Sequence, residues 1–288
     1  MYKPWLTVLV YFHRAPVFRR TALAVVGLGL YAAAVTLLDR LLLPNVVTVG
    51  AQFHGMLGLV LGLLLVFRTN TSYDRWWEAR KLWGQLVNDS RNLAIKVAAC
   101  VRADAADKHR LGRCLADFAW GLKGHLQGGQ PLQDLAGFRQ ATERPAHVPV
   151  HVATKIYEHV ERWRRTGQLD GFEFWVVDQH TAALMHICGA CERIQRTPIA
   201  FSHLWFVRQA IALYVVTLPW GLVEQFGAWT IPFTMLLSYL LIGVELIAEA
   251  IEDPFGHSDD DLRLDEICQG IERSVGDILP PVESASRG

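Results

Sequence analysis

Four long apolar stretches constrain the fold of this chain more than any other feature. Residues 22–38, 46–67, 210–223 and 226–244 contain no Lys, Arg, Asp or Glu. An α-helix needs about 20 mostly apolar residues to cross about 30 Å of hydrocarbon. With their flanks, the stretches extend to 21–43, 47–67, 204–226 and 229–251. A buried helix of a soluble protein would explain one of them, but all of them together predict an all-α membrane protein with four transmembrane helices.

The distribution of basic residues indicates how these helices are oriented. Lys and Arg are frequent before the first stretch, after the second and before the third, whereas the first connecting loop holds only Arg40 and the last holds none. Since Lys and Arg concentrate on the cytoplasmic side, we expect both termini and the central region in the cytoplasm. The chain is predicted to be a multi-pass protein of the inner (plasma) membrane. No secretory signal peptide is expected, because no small-residue cleavage site follows the first stretch.

The connecting loops are short, so each pair of spans is predicted to form an antiparallel hairpin. Between the hairpins, apolar residues recur at helical spacing, and no strand alternation is visible. The predicted parts are a cytosolic N-terminal segment (1–20), a first transmembrane hairpin (21–67), a helical cytosolic domain (68–203), a second transmembrane hairpin (204–251) and a cytosolic C-terminal segment (252–288). The second span and a long predicted helix, 171–196, could line a path through the molecule.

Several functional classes are disfavoured by what the sequence lacks. The patterns GxxxxGK[ST], HExxH and GxSxG do not occur, so no enzyme is predicted. The formal net charge is +0, which argues against a nucleic-acid partner. The cysteines fall in predicted cytosolic segments and are expected to be free thiols. The pair Cys188 and Cys191 is interpreted as small residues at a helix contact, because a zinc site needs more ligands.

A stripe of large apolar residues runs along the second span. Leu59, Leu63 and Phe67 recur at i, i+4 and i+8, which places them on one face of a helix. Such a stripe most often serves packing within a helix bundle. The functional alternative is a ring of subunits that places the stripe on a central axis and forms an apolar constriction that gates by dewetting.

Two titratable residues lie inside the predicted spans. His54 is near the outer end of the second span, where it would face either the bundle interior or a water-filled outer vestibule. Glu245 lies deeper in the fourth span, and a charge there costs roughly 2.5–3.5 kcal/mol on insertion scales. We therefore expect Glu245 to be protonated or paired with a basic residue of a neighbouring helix.

An acidic run follows the fourth span. Asp253, Asp259, Asp260 and Asp261 supply the carboxylate oxygens that Ca²⁺ prefers, although their spacing does not match an EF-hand. The alternative, which the spacing favours, is that position 258 or 259 caps a helix 259–279 and places carboxylates in its first turn. A weak calcium site and a helix start are both open interpretations.

Three segments of the sequence resemble the bestrophin family, in its bacterial branch. They are 67–92, which contains RWWE, 191–198, which contains CERI, and 253–261, which contains DPFG. They occur in the family's order and are spread over most of the chain. The resemblance implies a homopentameric ion channel in the lipid bilayer, in which each subunit contributes four membrane helices and a helical cytosolic domain around one axial pore.

The resemblance also implies particular site residues. The family's hydrophobic neck, counted back from the tryptophan pair, falls on the same stripe that the periodicity indicates. A second constriction, at the cytosolic end of the pore, falls on the long helix, with Val177, His180, Thr181 and Leu184 as candidates. The calcium clasp of animal members is only partly matched, since Ser258 stands where its first acidic ligand would be. Calcium is thus a candidate ligand, and no cofactor is expected to be required.

We therefore expect a passive channel for small monovalent ions through a pentameric pore. Whether it favours chloride and other anions or sodium and other cations is open, because apolar rings carry no charge of their own. Outside the channel class, the alternatives are a membrane scaffold whose cytosolic helices bind a partner and a metal-dependent membrane enzyme that uses the acidic run. A pore requires a ring of subunits, whereas these alternatives do not.

Overall fold

The computed structural model describes residues 16–41 and 51–281, and these residues form helices, turns and loops without a strand. The described α-helices are α1 (Pro16–Leu41), α2 (Ala51–Cys100), α3 (Ala105–Leu126), α4 (Val148–Arg165), α5 (Gly171–Arg196), α6 (Phe201–Phe226), α7 (Thr230–Ala250) and α8 (Leu264–Ile278). Short 3₁₀ helices lie at Leu132–Asp134, Ala136–Phe138 and Gly227–Trp229. Most of the predicted N-terminal segment (1–15), the first outer loop (42–50) and the last residues (282–288) lie outside the described residues.

Three helical stretches of the described chain are long and apolar enough to cross a membrane, namely Thr21–Leu41, Gln52–Cys100 and Phe201–Ala250. The last stretch contains both α6 and α7, which the 3₁₀ turn at Gly227–Trp229 separates. Gly227 has a φ of +53°, a conformation that residues with a Cβ rarely adopt. This glycine allows the chain to turn there, and α7 packs on α6.

Helix α2 is longer than the second span, 47–67, that the sequence predicted in this region. It runs without interruption from Ala51 to Cys100, and it contains no proline. At the point where the apolar residues end, the hydroxyls of Thr69 and Thr71 donate to the carbonyl oxygens of Leu65 and Phe67 at 2.9 Å each. These polar side chains are thus satisfied on the helix itself. The change from apolar to polar composition therefore does not end the helix.

Contacts divide the described residues into two compact units. The first unit takes its residues from Met1–Asp74 and Pro198–Glu252, and the second from Arg75–Thr197 and Asp253–Gly288. The predicted boundaries after 67 and before 204 both fall inside the first unit. In this unit α1 packs on α6 and α7, and a small apolar core joins α2 to α6, formed by Leu61, Leu65, Val207, Ile211 and Val215.

The second unit has the larger core. Within it α3 packs on α4 and α8, and α4 packs on α5. The fully buried side chains of Trp83, Phe118 and Trp163 come from three different helices of this unit. The start of α5 is fixed by a capping box, in which Asp170 accepts from the Glu173 amide and the Glu173 side chain accepts from the Asp170 amide.

Helix α8 begins at Leu264 and not at 259, so the predicted helix start in the acidic run is wrong. Neither Ser258 nor Asp259 caps this helix. Instead, a carboxylate oxygen of Asp261 accepts the Ser258 amide at 2.6 Å and closes a turn ahead of the helix. Acidic residues still occupy the first turn of α8, but they are Asp265 and Glu266.

Candidate functional site

The predicted neck stripe is exposed on the single chain. Leu59, Leu63 and Phe67 are 78%, 56% and 56% exposed, whereas Leu61 and Leu65 on the same helix are 3% and 5% exposed. Helix α2 thus turns one side toward its own bundle and leaves the stripe free to contact water, lipid or another subunit.

The exposed side of α2 is wider than the stripe itself. Met56, Val60 and Val66 are 70%, 56% and 54% exposed. By helical periodicity Met56 lies within the face of the stripe, and Val60 and Val66 lie at its two edges. The stripe is therefore one part of a broad exposed face, and its role as a neck stays a prediction.

Helix α2 buries a charged side chain directly after the stripe. Arg68 is fully shielded from solvent, and its Nη2 lies 2.7 Å from Oε2 of Glu252. Its Nε lies 3.5 Å from Oε2 of Glu245, and its Nη1 donates to the hydroxyl of Ser72. The hydrogen bonds to Glu252 and Ser72, together with the nearby Glu245 carboxylate, offset the cost of taking a guanidinium out of water.

Glu245 also has a second basic partner. Nε of Arg208, on α6, lies 3.0 Å from Oε1 of Glu245, and Nη2 of Arg208 lies 3.1 Å from Oε2 of Glu249. The prediction that Glu245 pairs with a basic residue of a neighbouring helix is confirmed. Sequence reasoning did not identify the two arginines, because each stands alone beside an apolar run and its partners are distant along the chain.

His54 lies in the interior of the first unit. It is 3% exposed, and its Nε2 lies 3.2 Å from the hydroxyl oxygen of Thr217 on α6. That hydroxyl donates to the Leu213 carbonyl at 2.9 Å, so it accepts from His54, whose ring is therefore protonated at Nε2. A Cβ on Gly221 would lie 2.5 Å from His54 Nδ1. In the single chain His54 thus faces the bundle interior, and its assignment to an outer vestibule stays a prediction.

Three of the four candidate aperture residues are buried in the core of the second unit. Val177 and Leu184 are 0% exposed and Thr181 is 5% exposed. The exposed positions of α5 lie on other faces of the helix, for example at Trp175, Gln179, Ala182 and His186. In the single chain, therefore, the buried three do not reach a surface that could line a pore.

His180 is held between two charged residues of α2. Its Nδ1 lies 2.8 Å from Oδ1 of Asp89, and its Nε2 lies 2.6 Å from Nζ of Lys96. A carboxylate only accepts hydrogen bonds and an ammonium group only donates them. Nδ1 therefore donates to Asp89, and Nε2 accepts from Lys96. Lys96 also donates to the Val176 carbonyl at 3.2 Å, so this chain of contacts ties α5 to α2.

The carboxylates of the acidic run do not converge on one point. An added Cβ at Gly256 would lie 2.5 Å from Oδ2 of Asp261 and 3.7 Å from Oδ2 of Asp253, so these two carboxylates lie beside the same glycine. Asp259 and Asp260 are exposed. The backbone carbonyl of Asp260 accepts from Trp76 Nε1 at 3.2 Å. A calcium ion at this run stays a prediction.

In the part of the chain that the structure describes, one group of side chains could hold a metal ion. It consists of His125, His147 and Glu192, whose potential ligand atoms all lie within 4.8 Å of one another. These residues belong to the second unit and lie in three different parts of the sequence. Their spacing matches no sequence motif, so sequence reasoning missed them.

Comparison with known proteins finds similar sequences over nearly the whole chain. Residues 2–277 match the family described as bacterial and fungal bestrophin protein. A voltage-dependent anion channel-forming protein of Nostoc sp. is 35% identical over 278 residues, which cover 92% of this chain and 89% of that protein. A voltage-dependent anion channel-forming protein of Escherichia coli K12 is 33% identical over 241 residues, which cover 80% of this chain and 79% of that protein.

A solved structure has the same fold. A bacterial bestrophin homologue from Klebsiella pneumoniae, solved as a variant, superposes with a TM-score of 0.86 at 25% sequence identity. The match covers 91% of this chain and 100% of that one. The arrangement of helices described above therefore occurs over the full length of a solved homologue.

Proposed function

This chain belongs to the bacterial and fungal bestrophin family, whose relatives are named as channel-forming proteins and not as enzymes, and on that premise we propose that it conducts small monovalent ions passively across the inner membrane. Its proposed topology has four transmembrane helices, α1 and the apolar part of α2 in one hairpin and α6 and α7 in the other. Both termini are proposed to lie in the cytoplasm, as the distribution of Lys and Arg indicates.

The observation that carries this proposal is the exposure of the neck stripe. Leu59, Leu63 and Phe67 are each more than half exposed, although they are large and apolar. Within a membrane, such a stripe faces either lipid or a neighbouring subunit. The stripe coincides with the family's neck position, which favours a ring that brings these side chains to a shared axis and forms a hydrophobic gate.

The proposed assembly is a homopentamer. One helix in one chain cannot enclose a pore with its outward face, so copies must surround the axis, and closed cyclic symmetry is the usual solution for identical subunits. The number of five rests on the family resemblance. The mass of the purified complex in detergent, measured by light scattering, tests it directly.

The cytosolic part of the pore is proposed to be lined by exposed positions of α5. Gln179 and His186 are exposed on this helix, whereas Val177 and Leu184 are fully buried. His180 holds α5 against α2 through Asp89. We therefore assign His180 a positioning role beside the pore and not a lining role.

Anions, including chloride, are the first candidates for the conducted ion, because the related proteins carry names that describe anion channels. A sodium-conducting channel is the alternative, since the neck itself carries no charge. Selectivity would then depend on charged residues at the two mouths, repeated around the ring.

The reversal potential of the purified protein in planar bilayers under a NaCl gradient tests the proposal. A current that reverses near the chloride Nernst potential would support an anion channel, and one that reverses near the sodium potential would support the cation alternative. The Leu63→Ala variant serves as a second sample in case the resting gate is closed. No current from either protein, both shown to be folded and pentameric, would contradict the channel proposal.

A further inference from the structure

Two histidines of the second unit approach the same carboxylate oxygen. Nε2 of His125 lies 2.6 Å and Nε2 of His147 lies 2.7 Å from Oε1 of Glu192. The two imidazole rings lie 4.2 Å apart and are tilted by 32°. The three residues come from the last turn of α3, the residue before α4 and the later part of α5. Three elements distant in sequence thus bring two nitrogens and one carboxylate together.

The three side chains are partly shielded from solvent, but a small ion can still reach them. The side chains of His125, His147 and Glu192 are 18%, 29% and 19% exposed. Burial alone would raise the pKa of Glu192, yet the hydrogen bonds from His147 and His125 hold that pKa below its usual value. The carboxylate is therefore ionised at neutral pH, and a small ion can reach it from solvent.

We propose that His125 Nε2, His147 Nε2 and the Glu192 carboxylate form a binding site for a divalent transition-metal ion, with Zn²⁺ as the reference case. Two imidazole nitrogens and one carboxylate are a set of protein ligands that zinc accepts, with water in the fourth position of a tetrahedron. Imidazole ligands favour zinc and its neighbours over Mg²⁺ and Ca²⁺, which prefer sites made of oxygen atoms. The site differs from the acidic run in its residues and in its ligand chemistry.

Metal binding would change the hydrogen bonding of both histidines. A carboxylate only accepts, so each imidazole now carries its proton on Nε2 and donates it to Glu192. Coordination through Nε2 moves that proton to Nδ1. In His147, Nδ1 accepts a hydrogen bond from the Val150 amide at 3.2 Å and thereby caps α4. Once Nδ1 carries the proton it can no longer accept, so metal binding replaces this long hydrogen bond. No net proton is released while both rings are neutral.

The nearby titratable groups limit the ligand set to these three residues. Burial raises the pKa of the Cys188 thiol, one turn before Glu192, to about 12, so this cysteine remains protonated. Nη2 of Arg196 lies 3.7 Å from the Glu192 carboxylate with a side chain that is 67% exposed. This arginine can swing into solvent when a cation binds.

Zinc titration of the full-length protein, purified in detergent and stripped with a chelator, tests the proposal. Competition with a chromophoric chelator should give one bound Zn²⁺ per protomer. The affinity for Zn²⁺ should fall by at least about tenfold in His125→Ala and Glu192→Gln. Loss of a residue that only hydrogen-bonds a metal ligand already lowers metal affinity by about tenfold or more.

Two further variants keep the outcome interpretable. His147→Asn removes a ligand and retains a side-chain oxygen that caps helices well, so loss of binding in this variant cannot be attributed to loss of the cap. His151→Ala is the matched control, because His151 is a partly buried histidine four residues after His147, and its partner is Glu143. It should bind zinc like the original protein. Absence of saturable zinc binding, or equal affinity in all four variants, would overturn the proposal. The readout does not depend on ion conduction.

Discussion

Arg68 and Glu252 form an ion pair 2.7 Å long in which the arginine side chain is completely buried. The two residues are 184 positions apart in the sequence, so the pair joins the middle of α2 to the segment that follows α7. The Glu245 carboxylate lies 3.5 Å from Nε of the same guanidinium. The first unit thus contains a buried cation in contact with two carboxylates.

Removing this cation should destabilise the protein strongly. In Arg68→Met, the carboxylates of Glu245 and Glu252 lose their buried partner, and breaking a buried pair from one side typically costs about 3–5 kcal/mol. The measurement is the free energy of unfolding in detergent, followed by circular dichroism. The control is Arg208→Met, whose side chain is 45% exposed and whose loss should cost less. Equal losses in the two variants would contradict the assigned role of Arg68.

Gly221→Ala should also destabilise the first unit. The added Cβ would lie 2.5 Å from Nδ1 and 2.7 Å from Cε1 of His54, so the ring must move away from Thr217. Overpacking of this kind typically costs about 1–3 kcal/mol. Gly243→Ala on α7 is the control, because nothing lies within 4 Å of the added carbon. Thermal unfolding of the two variants measures the difference. An unchanged melting temperature in Gly221→Ala would show that the His54 ring can move away from the added Cβ without cost.

The neck proposal predicts a change in conductance that depends on the face of α2. Leu63→Ala should raise single-channel conductance or loosen gating, because a smaller apolar ring is easier to wet. Leu57 is 37% exposed and lies about 120° around the helix from Leu63. Leu57→Ala should therefore conduct like the original channel. Single-channel recordings in planar bilayers measure both, and identical records for the two variants would remove Leu63 from the gate.

Asp107 should make the stability of the second unit dependent on pH in the acidic range. Burial alone would raise its pKa, but the Trp163 indole at 2.5 Å and the Arg162 guanidinium at 2.9 Å lower it below the ordinary value of 3.8. A lowered folded-state pKa adds stability above the ordinary value, and this stability is lost as pH falls through the lowered one. Melting temperatures of Asp107→Asn should therefore fall less than those of the original protein between about pH 5 and about pH 2.

The exposed carboxylate of Asp265 supplies the control for that pH series. Its side chain is 62% exposed and pairs with Lys123 at the surface, where ion pairs contribute little. Asp265→Asn should retain the acid sensitivity of the original protein. If the melting temperature of Asp107→Asn falls with pH as that of the original protein does, the acid-sensitive group is not Asp107.

The helices could be predicted from the sequence, because apolar spacing and loop residues are local signals. The predicted long helix 171–196 matches α5, which begins at Gly171 and ends at Arg196. The helix boundaries that were predicted wrongly depend on individual side-chain hydrogen bonds, which apolar spacing does not show. Helix α2 continues through its polar region, and α8 starts late because Asp261 bonds the Ser258 amide instead of the helix start.

The candidate site was predictable only in part, for a similar reason. Glu245 stood out because a charge in an apolar run needs a partner, but the identity of that partner depends on which helices pack together. Periodicity placed the neck stripe on one face, and exposure agrees with that face. The orientation of α5 could not be read in the same way, because its helix has apolar residues on several sides, and Val177 and Leu184 turned out to be buried.

The turn at Gly227–Trp229 also bears on how the protein is made. No charged residue lies between Glu224 and Glu245, and Phe226 and Trp229 contact the ring of Phe233 at the tip of the hairpin. During biosynthesis, the insertion machinery therefore has almost no polar chain to translocate at this tip. Neither helix can enter the bilayer far ahead of the other, because the turn that joins them is too short. The pair is thus expected to insert as one unit, with the aromatic rings anchoring its tip at the far interface.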